Sequence, residues 1–258
     1  MGLFDKLFEK KICAICGSEI KLLGNRKLED GNMCKHCAEK LSPWFSERRE
    51  STVAEIKEQL AYREENLEVV KNFNVTRTIG GDYKKVLLDE NQKLFTVTSA
   101  RDLVDANPDI LKFSQVTGCK LDIDDRRNEV KRKDAEGKMV SYNPPRYTVE
   151  YDFNVEIYVN HPYFNEMNLR LNGSSVETTP ETGVPLNRIP NPRFNAEYAE
   201  YEAMGKEIVE ILTNVREEVR EEAAAAAAPK TAVTCPWCGA TTLGDANGCC
   251  DFCGGSLN

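Results

Sequence analysis

Eight of the ten cysteines fall into four Cys-x-x-Cys pairs: Cys13/Cys16 and Cys34/Cys37 near one end, Cys235/Cys238 and Cys250/Cys253 near the other. A two-residue gap lets one tight turn aim both sulfurs at a single ion. Two such turns supply the four soft ligands that tetrahedral Zn²⁺ prefers. The pairs are separated by 17 residues in the first set and 11 in the second, so each set can close on itself. The pattern predicts two Zn²⁺ per chain, each with four protein ligands and no position for water or substrate. Such sites hold structure together and do not perform chemistry.

Iron competes with zinc at this level, because a Cys-Pro-x-Cys-Gly turn such as Cys235–Gly239 also suits a rubredoxin-type iron site. Redox use of the pairs would need a thioredoxin-like βαβ setting, and the sequence shows none. Cys249 has the wrong spacing to Cys253 and is the spare sulfur; Cys119 stands alone in an apolar strand pattern and reads as a small core residue. The two histidines offer no catalytic dyad. His36 sits inside a knuckle and is expected to face solvent, and His161 precedes Pro162 in a loop. Asp122, Asp124, Asp125 and Glu129 are an acidic cluster, but Arg126, Arg127, Lys131, Arg132 and Lys133 interleave with them or follow directly. That mixture predicts a solvated hairpin rather than a cation site. Gly80-Gly81-Asp82 is a turn and not a phosphate-cradling loop.

The 258 residues are 41% hydrophobic and 29% charged, with a net charge of −8 and a pI of about 5.1. An acidic chain argues against a sequence-independent grip on nucleic acid. No apolar run reaches the length of a membrane span, MGLFDKLFEKK lacks a secretory h-region, and the metal-knuckle use of cysteine implies a reducing compartment. The cytoplasm is the expected location.

The elements that must carry these groups follow from periodicity. In the first 12 residues Leu3, Phe4, Leu7 and Phe8 share one helical face opposite Asp5, Lys6 and Glu9, which predicts a short amphipathic helix on the adjacent module. Residues 1–45 form the N-terminal zinc module, a hairpin with a turn at Asp30-Gly31, and Ser42-Pro43 reads as a helix start. A linker helix is expected within 46–67, with Val53, Ile56, Leu60 and Leu67 on one face, Thr52 and Glu55 as a capping box, and charge elsewhere.

Residues 68–228 form a β domain with a C-terminal helix. Tyr147, Val149, Tyr151, Phe153, Val155, Ile157 and Val159 alternate with mostly polar residues, which specifies a strand with one buried face. Its 13 residues would span roughly 43 Å if straight, so a bend or bulge is expected. Weaker strands lie near 72–79, 83–89, 93–98, 116–124 and 166–172, with turns at Asp89-Glu90-Asn91 and Asn143-Pro144-Pro145. Thr179 to Asn195 is loop, after which Asn195 caps a helix. That helix carries the stripe Tyr198, Tyr201, Met204, Ile208, Ile211, Leu212, Val215 and Val219, with acidic remaining faces; Pro229 ends it, and residues 229–258 are the second zinc module. Antiparallel strands followed by a long helix predict an α+β fold, either a pleckstrin-homology-like barrel plugged by the helix or a β-sandwich with a docked helix.

The segment CAICGSEIKLLGNRKLEDGNMCKHCAEKLSPWF resembles an N-terminal four-cysteine domain of unknown function found in uncharacterised bacterial proteins. STVAEIKEQLAYREEN and FSQVTGCKLDIDD…YNPPRYTVEYDFNVEIYVNHPYF resemble the segments that accompany it, so the likeness covers roughly residues 1–180. It implies a zinc module followed by a β domain, with no activity attached. CPWCGATTLGDANGCCDFCGGSLN resembles a common zinc ribbon. The whole reads as a non-enzymatic interaction protein that binds a protein partner through the β domain and the ribbon. Two alternatives are nucleic-acid binding through the N-terminal module, where Lys21, Arg26, Lys27, Lys35 and Lys40 lie, and recruitment to a membrane surface by the first helix and the barrel.

Overall fold

A computed structural model describes residues 11–80, 83–178, 191–227, 232–244 and 248–257, with the backbone alone for 215–227. The expected helix in the first 12 residues, the turn at Gly81-Asp82 and most of the 179–195 loop lie outside these residues. The chain divides into two compact units, Met1–Arg216 and Glu217–Asn258. Among the described residues no helix is long and apolar enough to cross a membrane.

The first unit opens with two small hairpins where one was expected. Strand β1 (Lys11–Ile12) pairs antiparallel with β2 (Glu19–Ile20), and β3 (Asn25–Lys27) pairs with β4 (Asn32–Cys34). Strand β4 runs directly into the single-turn helix α1 (Lys35–Ala38). Ile20, Leu28, Met33, Leu41 and Ile56 join Cys13 and Cys37 in a small core. So few apolar groups offer little burial, and four cysteines able to take a metal are the supplement that a segment of this size calls for.

Helix α2 (Val53–Asn72) begins later than expected. Ser42-Pro43 starts no helix; the Ser42 hydroxyl instead donates to Asp109 Oδ2 at 2.8 Å and accepts the Trp44 N–H at 3.1 Å. A 3₁₀ turn at Glu47–Arg49 follows, and only then does Thr52 cap α2 in the expected box with Glu55. The buried face is Ile56, Gln59, Arg63, Asn66 and Val70, so the side expected to be charged and solvated is partly interior. Its polar groups are buried because the 107–110 segment meets them. Arg63 Nη1 donates to Asp109 Oδ1 at 2.7 Å and Arg63 Nε to the Lys40 carbonyl at 3.2 Å. Asn66 Nδ2 donates to Asn107 Oδ1 and the Pro108 carbonyl, and Asn66 Oδ1 accepts the Ile110 N–H. Arg63 is 5% exposed and Asp109 fully buried. This network ties the N-terminal four-cysteine module to the β domain through α2.

Two four-stranded antiparallel sheets follow. The first has the order β5 (Arg77–Gly80), β6 (Lys85–Asp89), β7 (Leu94–Thr98), β8 (Leu111–Lys112), with the short helix α3 (Leu103–Ala106) before β8. In the second, β10 (Met139–Val159) is central. Strand β9 (Val116–Lys133) pairs along one edge; β11 (Glu166–Arg170) and β12 (Val176–Thr178) share the other. Among the described strands none pairs from one sheet to the other, so no closed barrel forms and the pleckstrin-homology-like arrangement is not established. Both sheets contribute to one core: Val86, Leu88, Phe95 and Leu111 from the first join Phe153, Val155, Ile157 and Met167 from the second, with Phe113 from the 3₁₀ turn after β8.

The alternation read for 147–159 holds from Val149 to Val159, but Tyr147 is 37% exposed. The β9–β10 hairpin runs on past the core, and beyond Val149 neither face has a layer to cover it. Asn143-Pro144-Pro145, read as a turn between strands, lies inside β10. Pairing jumps from Ser141↔Lys131 to Arg146↔Val130, which leaves Tyr142–Pro145 bulged out. Proline has no N–H to give the ladder, so the bulge is where two prolines fit.

Helix α4 (Ala196–Ala227) is capped as expected, with the Tyr198 N–H donating to Asn195 Oδ1 at 3.1 Å. Tyr198, Ile208 and Leu212 enter the shared core, and Tyr201, Met204 and Ile211 pack at its margin. A Cβ on Gly205 would stand 2.5 Å from Leu121 Cδ1, so glycine lets the helix approach β9 closely. The side chains of Val215 and Val219 lie outside the described residues. In the second unit, β13 (Val233–Thr234) pairs with β14 (Thr241–Thr242) around a Cys-x-x-Cys turn.

Candidate metal centres

Three of the four Cys-x-x-Cys turns are built alike. The N–H four residues after the first cysteine donates back to that cysteine's carbonyl: Gly17 to Cys13, Gly239 to Cys235 and Gly254 to Cys250, at 2.8, 2.9 and 2.8 Å. Each of these glycines has φ near +72°, a conformation that disfavours any Cβ. The fourth turn has Ala38 at that place, and the chain continues as helix α1 instead.

These turns bring each set of sulfurs together. Cys13, Cys16, Cys34 and Cys37 form one group and Cys235, Cys238, Cys250 and Cys253 the other, with all ligand atoms of a group within 4.8 Å of one another. Cys13–Cys37 and Cys16–Cys34 sulfurs are 3.9 and 3.8 Å apart; Cys235–Cys253 and Cys238–Cys250 are 3.6 and 3.7 Å apart. Four sulfurs about 2.3 Å from a tetrahedral ion stand about 3.8 Å from each other. Both groups therefore have the dimensions of a metal cage, and either can hold an ion such as zinc.

Backbone donors prepare the sulfurs as anions. The Cys34 N–H points at Cys13 Sγ (3.2 Å) and the Cys37 N–H at Cys34 Sγ (3.4 Å). The Trp237 and Phe252 N–H groups do the same for Cys235 and Cys250, both at 3.4 Å. The Ser18 hydroxyl and N–H hold the Cys16 thiol down at about 6. Burial works to raise Cys13, but the N–H groups of Cys16, Cys34 and Ile15 outweigh it and bring the thiol below its usual range. Burial likewise opposes Cys235, yet the Cys238 and Trp237 N–H groups bring it to about 7. Cys37 is pushed up, by burial first and then by its three neighbouring sulfurs. Cys253 rises to about 12 although the Gly255 N–H favours its thiolate, because Cys238 shares the negative charge. Without a cation the thiolates of a group oppose one another's ionisation; a divalent cation removes that conflict.

The remaining sequence candidates lie elsewhere. Cys249 is outside the sulfur group, and its backbone bridges to Ser256. Cys119 lies in β9 against the core, its thiol pushed up to about 12 by burial, which leaves it unreactive. His36 is exposed. His161 stacks on Phe164 with centroids 4.1 Å apart and meets Tyr62 edge-on. Its Nδ1 accepts the Tyr163 N–H, so Nε2 carries the proton and donates to Tyr62 Oη at 2.9 Å. Burial first, and then Arg63, bring its pKa down to about 4. The acidic residues of β9 lie opposite β10 in the ladder, where Asn154 Nδ2 donates to Asp124 Oδ2 at 3.1 Å, and Arg126 reaches Asp152 at 3.3 Å and Glu150 at 3.6 Å. Among the described residues the two cysteine groups alone are arranged to hold a metal.

One surface feature has no signal in the residue order. In the ribbon the aromatic residues inside the two knuckles, Trp237 and Phe252, are 75% and 72% exposed. Both occupy the position before the second cysteine, where the turn points the side chain outward.

A family model described as a domain of unknown function (DUF4428) matches residues 11–59, the first cysteine cluster together with the start of α2. The ribbon is not matched by any family. No curated protein and no solved structure matches the chain.

Proposed function

We propose that the protein is a non-enzymatic adaptor, with two structural Zn²⁺ that shape its ends and a protein partner bound through the β domain and the ribbon. The observation that carries this reading is the pair of exposed aromatics, Trp237 and Phe252, on a ribbon held rigid by four thiolates. Large aromatics in water on a stiff support are a pattern of protein-docking surfaces. Zinc is the chosen metal because a closed four-thiolate tetrahedron suits it and completes all its coordination positions. Such an ion has no place for a reacting water, so the reading contains no catalytic step. Within residues 232–257 the charged side chains are Asp245 and Asp251, which favours protein over nucleic acid at the ribbon.

The test is affinity capture from the native cell with the full-length chain and with a Trp237→Ser/Phe252→Ser variant. At least one specific protein should be lost from the variant while its metal content stays at the wild-type value. Identical capture by both, or turnover of a substrate that depends on the ribbon cysteines, would overturn the proposal.

A further inference from the structure

The N-terminal module carries a second feature, on the side formed by β3 and the 3₁₀ turn at Glu47–Arg49. Arg26, Lys27, Arg48 and Arg49 line a concave cleft of about 610 Å³. An adjoining hollow shares Arg26 and Arg48 and adds Lys35. Among the described residues no carboxylate lies within ion-pair distance of Arg26, Lys27, Arg48 or Arg49; Lys35 alone has one, Glu39 at 3.5 Å. Four cations with no counter-charge repel each other. Arg48 shows this: burial first, and then Arg49 and Arg26, push its pKa below the usual guanidinium value.

The guanidiniums are held in place. Arg26 Nη1 donates to the Leu23 and Asn25 carbonyls, both at 3.2 Å, and Arg48 Nη1 donates to the Lys27 carbonyl. Each group is fixed through one nitrogen, and its other N–H groups remain to take further acceptors. Arginine in such a position grips a planar or tetrahedral oxyanion with two parallel hydrogen bonds.

We infer that this cleft binds a compact phosphate-bearing ligand, its phosphate or diphosphate group seated between Arg26, Arg48 and Arg49. The volume is that of a small-molecule site. A long polyanion fits less well. Glu29, Glu47 and Glu50 flank the cationic residues in sequence, Glu39 lines the adjoining hollow, and the chain as a whole carries −8. These charges repel an extended phosphate backbone or an anionic bilayer, but not a small group already inside the ring of guanidiniums. Two arginines that lie far apart in sequence thus meet through the fold of the four-cysteine module, and an ion held by its cysteines would fix the cleft's shape.

The experiment is calorimetric titration of the metal-loaded full-length chain with pyrophosphate at matched ionic strength. Saturable binding is expected, weakened about tenfold or more in Arg49→Gln and in Arg48→Gln, since each loses a charge-assisted contact. Lys21→Gln, outside the cleft, should bind as the wild type does. Among the described residues no hydrogen bond joins the Arg49 side chain, so its variant keeps the fold even if Arg48→Gln does not; metal content and circular dichroism check both. Absence of saturable binding, or equal binding by wild type and Arg49→Gln, would overturn the inference. So would tighter, Arg49-dependent binding of a single-stranded oligonucleotide or of phosphatidylserine vesicles.

Discussion

Replacing Arg63 with methionine removes a buried cation while keeping much of its stem. In the intact protein the Arg63 guanidinium donates to Asp109 Oδ1 at 2.7 Å and to the carbonyls of Lys40 and Asn107. Asp109 is fully buried, and its other oxygen takes the Ser42 hydroxyl at 2.8 Å. In Arg63→Met that carboxylate keeps one hydroxyl donor and loses its only buried counter-charge among the described residues. Stranding a buried charge costs about 3–5 kcal/mol, against about 5–15 kcal/mol for a whole domain. The variant should therefore lose a large share of its stability.

The pH dependence gives a second, independent reading of the same event. Burial already raises the Asp109 carboxyl above its ordinary value, with Arg63 and Ser42 opposing. Without Arg63 it rises further. A carboxyl whose folded pKa is raised favours the fold when protonated and loses that advantage as pH climbs through the folded pKa. The penalty of Arg63→Met should thus be largest at neutral pH and shrink as pH falls toward the ordinary carboxyl range. Urea denaturation, followed by Trp44 fluorescence in a Trp237→Phe background, measures both effects, because Trp44 packs against the β core close to this network. Arg63→Met/Asp109→Asn should recover most of the loss, since it removes both charges. A penalty below about 1 kcal/mol, the range of exposed ion pairs, or one that does not change with pH, would show that the pair is solvated and refute the reasoning.

Elemental analysis of protein purified under reducing conditions should give two metal ions per chain, one for each four-cysteine group. Cys16→Ser or Cys253→Ser should lower that ratio, whereas Cys119→Ser and Cys249→Ser should leave it alone; iron in place of zinc would redirect the metal assignment. Chelation should unfold the small zinc modules and spare most of the β circular dichroism, because the shared core of the two sheets contains none of the metal-site cysteines. His161 is neutral in the fold with a pKa near 4 against 6.5 for the free side chain. The unfolded chain therefore binds the extra proton between these values, and stability should fall as pH drops through this window. His161→Gln should lessen that slope, and an unchanged slope would place the ring in contact with water.

The metal cages were legible from residue order because each is assembled from two turns whose own contacts lie within a few residues. A Cys-x-x-Cys turn and the glycine after it bring two sulfurs together wherever the turn sits, and even the departure at Ala38 is visible as a missing glycine. The Thr52/Glu55 box, the Asn195 cap and the alternation from Val149 to Val159 are equally local, set by one helical turn or by the two-residue period of a strand. Other features needed distant partners. Arg63 and Asp109 lie 46 residues apart, so a helix face that looks charged and solvated becomes interior only where the 107–110 segment supplies its hydrogen bonds. Tyr147 continues the apolar period but extends beyond the layer that would cover it, and Pro144-Pro145 interrupts pairing without ending the strand. Whether the sheets close was likewise decided by edge pairing that periodicity does not encode. The cationic cleft belongs with these: Arg26 and Arg48 come from separate elements, and only the folded module brings their charges to face one another.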